Sequence, residues 1–230
     1  MSTPTAGTTS ALPTTTPMDH VTVLEQDRSL LSLMTIIRDV NTDDRAFVSA
    51  VEKVVHRLIS SALNHVPAEE YTVTTPLNTT YQGLRFTKGV CGVSILRAGA
   101  SMEQVLRDTW TGRLSFGKLL IQRDEETSVA KSYYSKLPAG ICNDVVLLLE
   151  PMLATGGSVI KAVETLTEHG VPEESIVLVN VVSSKKGLDV VTGRFPALKI
   201  VSAAVDADLT AQNYISPGLG DFGDRYYGTC

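Results

Sequence analysis

The sequence predicts an α/β domain whose mostly parallel central sheet is flanked by helices. Three observations predict it. Runs such as VVLLLE (145–150) and SIVLVNVVS (175–183) are apolar without alternation, as strands covered on both faces must be. Other segments carry the three- and four-residue spacing of helices instead. The two kinds of segment alternate along the chain, the order of right-handed β-α-β units.

Taken in order, Ser29 to Val40 reads as a short helix. A longer helix follows Asp43, because Phe47, Val51, Val54, Leu58 and Ala62 fall on one face and Asp43 and Asp44 place negative charge at its start. The stretch YTVTTPLNTTYQGLRF (71–86) is rich in Thr, Val and Tyr but interrupted by Pro76, Asn78 and Gly83, so irregular strands or a hairpin are expected. VCGVSILRAG (90–99) reads as a strand, SMEQVLRDTW (101–110) as a helix and GKLLIQR (117–123) as a strand. SVIKAVETLTEHG (158–170) aligns Val159, Val163 and Leu166 and ends at Gly170, a helix-terminating glycine. A helix at 184–193 is expected between the strands 175–183 and LKIVSAAVDA (198–207).

Composition bounds the function. In 230 residues, 43% hydrophobic side chains suffice for a sizeable core. Twenty basic against twenty-five acidic residues give −5, which argues against a nucleic-acid partner. No run approaches the ~20 apolar residues of a membrane span, so no membrane partner is expected. Residues 1–17 hold seven threonines, three prolines and no charge, and are expected to be a flexible tail preceding a single domain at 18–230. Cys91, Cys142 and Cys230 show neither disulfide nor zinc spacing, and no secretory signal precedes them, so a cytoplasmic location is expected. The four histidines form no cluster, and structural or surface roles are expected for His56 and His65.

In open α/β sheets ligands bind at the C-terminal ends of strands, which singles out four loops. EPMLATGGS (150–158) runs from a buried strand into a helix. Thr155, Gly156, Gly157 and Ser158 offer two hydroxyls and unobstructed amides at a helix N-terminus, a phosphate cradle, or else an ordinary turn capped by Ser158. Glu150, an acid ending a buried strand, needs a polar ligand or partner. Phosphate on the cradle and hydroxyls on the carboxylate together describe a ribose 5-phosphate. In SILRAGAS (94–101), Arg97 can hold a diphosphate or a structural carboxylate, and the small residues after it allow close backbone approach. IQRDEETSVAKSYYSKLP (121–138) is either a lid or a hairpin excursion, with Arg123 at its root. In NYISPGLGDFGDRYYGT (213–229), Gly218, Gly220 and Gly223 match Gly-x-Gly-x-x-Gly, but only seven residues follow Gly223, so a dinucleotide fold is excluded. A shaped loop whose backbone reads a small planar ligand is expected there. Asp206 and Asp208 end a strand and either face the site or turn the chain.

With SILRAGASME, RDEETSVAKSYYSKLP, LLLEPMLATGGS and NYISPGLGDFGDRYYGT in order, the chain resembles the uracil phosphoribosyltransferases over residues 25 to 229. The resemblance implies a type I phosphoribosyltransferase-like fold, with a small hood formed by the N-terminal and C-terminal segments. It implies transfer of the 5-phosphoribosyl group from 5-phosphoribosyl diphosphate to N1 of uracil, giving UMP and pyrophosphate in pyrimidine salvage. Mg²⁺ would travel on the diphosphate with no side chain directly ligating it. Catalytic roles would fall to Arg97, Arg123 and Glu150, with Arg97 in a loop that often holds a cis peptide. Those three, with Pro151, Met152, Leu153, Ala154, Thr155, Gly156, Gly157, Ser158 and Asp221, would bind 5-phosphoribosyl diphosphate. Tyr214, Ile215, Gly220, Asp221 and Phe222 would bind uracil, mainly through backbone groups. A homodimer or homotetramer is implied, with GTP as a candidate activator.

Two departures qualify the resemblance. The family motif usually begins with Asp where this chain has Glu150, and Ala154 stands where purine enzymes carry an acid, leaving no side-chain base for the uracil N1 proton. The first supports an alternative, a weak or inactive relative acting as a uracil- or UMP-binding regulatory protein. An RNA-binding regulator is a third reading, opposed by the acidic balance.

Overall fold

The computed structural model describes residues 20–123 and 130–229, without the side chains of residues 123 and 130. The Thr-rich segment 1–17 lies outside the described residues. In chain order the elements are β1 (Val21–Val23), α1 (Arg28–Arg38), α2 (Asp44–Leu63), β2 (Ala68–Thr74), β3 (Thr80–Phe86), β4 (Val90–Leu96), α3 (Glu103–Thr109), β5 (Leu114–Arg123) and β6 (Ala130–Lys136). There follow β7 (Val145–Leu149), β8 (Met152–Leu153), α4 (Gly157–Glu168), β9 (Ile176–Ser184), α5 (Lys185–Arg194), β10 (Lys199–Asp206), β11 (Asp208–Leu209), β12 (Ile215–Ser216) and α6 (Phe222–Tyr227).

The main sheet runs β1-β10-β9-β7-β4-β5-β6, with the short β8 beside β9. Every pairing in it is parallel except β5 with β6. The unbroken apolar runs follow from this layering. Along β7, Leu147 and Leu149 enter a core with Phe47, Val51 and Leu58 of α2, while Val146 and Leu148 enter a second core with Val163 and Leu166 of α4. A strand buried on both faces has no side free for a polar residue.

Local signals in the sequence take their expected places. Asp43 caps α2, its carboxylate accepting from the Ala46 N–H at 2.8 Å. Helix α4 ends in a glycine-closed turn. Gly170, at φ +82°, donates to Thr167 O, and Val171 donates back to Leu166 O.

One open reading closes and two change. The 71–86 stretch lies in a regular antiparallel hairpin of two seven-residue strands, with Asn78 taking the positive φ of its turn. The 101–110 helix is shorter, a 3₁₀ turn at Ala98–Met102 leading into α3. Strand β1 was not expected: three residues make a strand only because β10 offers an edge, with Val21 opposite Ile200. Among the described residues, no helix is long and apolar enough to cross a membrane.

The topology also makes a crevice. From β4 the chain passes through α3 to β5 on one side, and from the adjacent β7 through α4 to β9 on the other. Connections leaving neighbouring parallel strands in opposite directions part at the strands' C-terminal ends, where open α/β sheets hold ligands. Behind the C-terminal loop that borders that opening, α1 meets the C-terminal segment. Arg38, at the end of α1, donates to both oxygens of Asp206 and to Gly218 O, each at 2.8 Å. Arg225, in α6, donates to Ile37 O, Asp39 O and Leu219 O. These contacts tie the N-terminal helix to the C-terminal segment, the two parts expected to make the hood.

Candidate active site

A cavity of ≈ 330 Å³ opens at the crevice, within the range of small-molecule sites. Ala98 from the loop after β4, Glu150, Met152 and Ala154 from the loop after β7, and residues 212–215 and 220–223 from the C-terminal loop line it. Three of the four loops singled out in the sequence therefore share one wall.

Glu150 follows directly on β7 and is 9% exposed. Its N–H donates to Val179 O at 3.2 Å, which fixes the backbone as the chain leaves the sheet. Burial raises its carboxyl from 4.5 to about 8, and a hydrogen bond with the Met152 backbone offsets part of that rise. A carboxylate that costs this much to ionise is suited to a ligand that brings hydroxyls or positive charge. Pro151 next anchors the loop, its carbonyl accepting from Val181 and Val182 N–H at 2.9 and 3.1 Å. Met152 and Leu153 then pair with β9 as β8.

The cradle residues Ala154 to Ser158 line a second concavity of ≈ 60 Å³, room for about two waters or one tetrahedral anion. Gly156 caps α4 at φ +85°, so the helix begins at Gly157 and Ser158 lies inside its first turn instead of capping it. The loop is held from below, where Ser184 Oγ donates to Ala154 O at 2.5 Å. Ala154 thus lines both hollows and joins the cradle to the main cavity.

Arg97 follows β4 after a cis Leu96–Arg97 peptide. The small residues behind it allow the close approach expected: a Cβ on Gly99 would stand 2.1 Å from Leu149 O. The Arg97 guanidinium is half exposed and donates to Asp224 Oδ1 at 2.7 Å and Thr229 Oγ1 at 3.0 Å. Hydrogen bonding by Thr229, and then by Arg97, holds the Asp224 carboxyl below the usual carboxylate range.

The C-terminal loop turns bulky apolar side chains into the core. Ile215 is buried, Ser216–Pro217 is cis, and Gly218 at φ +61° lies where a Cβ would stand 2.0 Å from Ile215 O. Phe222 points inward, edge-on to Phe47 and stacked on Tyr226 at 5.7 Å each, so its ring belongs to the core. Asp221 caps α6, its Oδ1 accepting from Asp224 N–H at 2.9 Å. Tyr214 lines the cavity with its side chain 54% exposed.

Arg123 ends β5, but its side chain and residues 124–129 lie outside the described residues. The chain beyond returns as β6 antiparallel to β5, a hairpin excursion. Asp206 supports the site from behind: 7% exposed, it pairs with Arg38 and accepts from Gly218 N–H at 2.9 Å. Asp208 lies exposed in β11. Thr109 Oγ1 lies 3.3 Å from His56 Nδ1, and burial lowers the His65 imidazole, in keeping with structural roles. Ala98, Asn213 and Gly223 line the cavity from within the loops singled out, though no binding role was assigned to them, and sequence reasoning missed Gln212. It also missed Arg38 and Arg225 behind the loop, whose only signal was charge on otherwise amphipathic helices.

Comparison with known proteins supplies the remaining findings. The family model described as Uracil phosphoribosyltransferase matches residues 23–229. The uracil phosphoribosyltransferase of Dictyostelium discoideum is 47% identical over 92% of this chain and 97% of that protein. That of Lachancea kluyveri is 48% identical over the same shares. Among solved structures, the AQ2163 protein of Aquifex aeolicus is similar with a TM-score of 0.78 and 28% identity, over 90% of this chain and 97% of that one.

Proposed function

The chain belongs to the uracil phosphoribosyltransferase family, and from that premise we propose that it transfers the 5-phosphoribosyl group of 5-phosphoribosyl diphosphate to N1 of uracil, releasing UMP and pyrophosphate. The observation that carries this reading is the junction of three features at one cavity: a buried acid, an anion cradle joined to it through Ala154, and a C-terminal loop whose Ile215 and Phe222 are buried.

In this reading the amides of Ala154 to Ser158 take the 5-phosphate at the start of α4, where dipole and donors favour an anion. Glu150 meets the ribose hydroxyls and, once ionised, stabilises positive charge on the sugar as the diphosphate leaves. Arg97 and Arg123 hold the diphosphate through charge-assisted hydrogen bonds, and Asp221 lies beside its ribose. Uracil is read by the backbone of Ile215, Gly220 and Phe222. The inward Phe222 ring supports this, since only main-chain groups of that residue are left to face a ligand. Tyr214 borders the base. Because Ala154 has no acid, no side chain takes the N1 proton, and rate comes from orientation and electrostatics.

Among the described residues no group of three or more His, Cys, Asp and Glu comes together, while Glu150 and Asp221 supply hard carboxylate oxygens at the cavity. Those two residues would meet Mg²⁺ brought to the site on the diphosphate. The chemistry such an ion would supply is neutralisation of charge on the leaving group.

A homodimer or homotetramer with GTP as activator belongs to the same reading. The β2–β3 ribbon, with Tyr71, Val73 and Tyr81 exposed on one face, supports assembly, and light scattering with and without GTP tests it. The base assignment is tested by offering uracil, cytosine, thymine and hypoxanthine with 5-phosphoribosyl diphosphate. Uracil alone should be consumed at an appreciable rate, and equal use of hypoxanthine would overturn backbone readout of a pyrimidine.

A further inference from the structure

We infer that the C-terminal segment Asp224–Thr229 is a clasp that orients Arg97 toward the diphosphate, which makes Asp224 and Thr229 positioning residues of the reaction. The inference rests on the uracil phosphoribosyltransferase reading above and adds to it residues outside the expected site.

Four contacts from this segment converge on one residue. Asp224 and Thr229 accept from the two terminal nitrogens of Arg97, at 2.7 and 3.0 Å. The Tyr227 ring lies 5.6 Å from the guanidinium carbon, and Tyr227 Oη donates to Arg97 O at 3.3 Å. The clasp is itself closed, because Thr229 Oγ1 donates to Asp224 Oδ1 at 2.6 Å and Thr229 N–H to Asp224 O at 3.1 Å. Both members of the Arg97–Asp224 pair are well exposed, and exposed ion pairs add little to stability. Holding a long side chain in one orientation is what such an arrangement does instead, and a ligand then binds without bearing the ordering cost.

The orientation is the useful one. Arg97 Nη2 and Nε stand 3.1 and 3.5 Å from the point where a Cβ on Gly223 would lie, and Asp221 Oδ1 stands 3.4 Å from the same point. Gly223 lines the main cavity with Ala98 and Asp221, so the guanidinium, itself outside the lining, stands next to that wall. A guanidinium has five N–H groups, and these two hydrogen bonds engage two of them, leaving donors for an anion. Helix α6 further ties this clasp to the base-reading loop, since Asp221 caps the helix that carries Asp224.

The test is steady-state kinetics of UMP formation by the wild type, Asp224→Asn, Thr229→Val and Thr229→Ser, varying each substrate separately. Asp224→Asn should raise KM for 5-phosphoribosyl diphosphate about tenfold, the loss of a hydrogen bond between charged groups, with kcat and KM for uracil within about twofold. Thr229→Val should raise the same KM about threefold, and Thr229→Ser, which keeps the hydroxyl, should restore it. A KM for 5-phosphoribosyl diphosphate that stays within about twofold in Asp224→Asn overturns the inference, as does an equal rise for both substrates or a Thr229→Ser protein as impaired as Thr229→Val. A wild type that makes no UMP overturns the underlying reading, a result distinct from these.

Discussion

Replacing Glu150 by glutamine should stabilise the protein and slow it, and the stabilisation should depend on pH. Burial holds the folded-state carboxyl at about 8 against an ordinary 4.5. Between those values the folded chain keeps a proton that the unfolded chain has lost, so wild-type stability is full at low pH and falls as pH rises, levelling off above about 8. At about 1.36 kcal/mol for each pH unit of that window, the loss between pH 5 and pH 8.5 is on the order of 4 kcal/mol. Glutamine has nearly the same shape and carries no such proton, so Glu150→Gln should match the wild type within about 1 kcal/mol at pH 5 and exceed it by about 4 kcal/mol at pH 8.5. For a chain of this size that is a melting-temperature gap of roughly 8–16 °C. The same substitution removes the charge assigned to the ribosyl transition state, so kcat should fall about 10²-fold. Wild-type kcat/KM should also climb toward pH 8 as the carboxylate forms, and the variant should be flat. Thermal melts at pH 5, 7 and 8.5 beside rate measurements decide the matter. A gap that is the same at every pH would refute the burial argument, and an unchanged kcat would refute the assigned role.

Four further outcomes follow from the geometry. Gly218→Ala forces a Cβ against Ile215 O at a positive φ, so KM for uracil should rise at least about tenfold while the fold persists, checked by kinetics beside circular dichroism. Arg38→Met leaves the mostly buried Asp206 without its partner, and should lower stability by about 3 kcal/mol in denaturant titrations while raising KM for uracil. Gly170→Ala strains the turn that ends α4 far from the cavity, and should cost about 1 kcal/mol with kinetics unaltered. Chelation with EDTA should abolish turnover and added Mg²⁺ restore it, whereas full activity in chelator would contradict delivery of the ion on the diphosphate.

The parts of the fold legible in the sequence were those that local physics decides. Runs such as 145–150 declare two-sided burial, Phe47 to Ala62 declare one buried helix face, and Gly170 declares a stop. The site loops were legible because strand ends and glycines mark them. What the sequence hid depends on partners far along the chain. Val21–Val23 is a strand only beside β10. Pro76, Asn78 and Gly83 suggested irregularity in 71–86, yet cross-strand pairs such as Glu69 with Arg85 and Val73 with Tyr81 keep the hairpin regular. Asp206 could not be assigned from its neighbours because its partner, Arg38, lies 168 residues away. The bond from Arg97 to Asp224 spans 127 residues, so the same lone arginine that suggested a diphosphate site gave no hint of what holds it.

The central claim is chemical, and product analysis tests it most directly. Purified protein given labelled uracil, 5-phosphoribosyl diphosphate and Mg²⁺ should form UMP and pyrophosphate one for one, with neither appearing when either substrate is left out. Binding of uracil or UMP with no UMP formed, across a range of Mg²⁺ and GTP concentrations, would contradict the account.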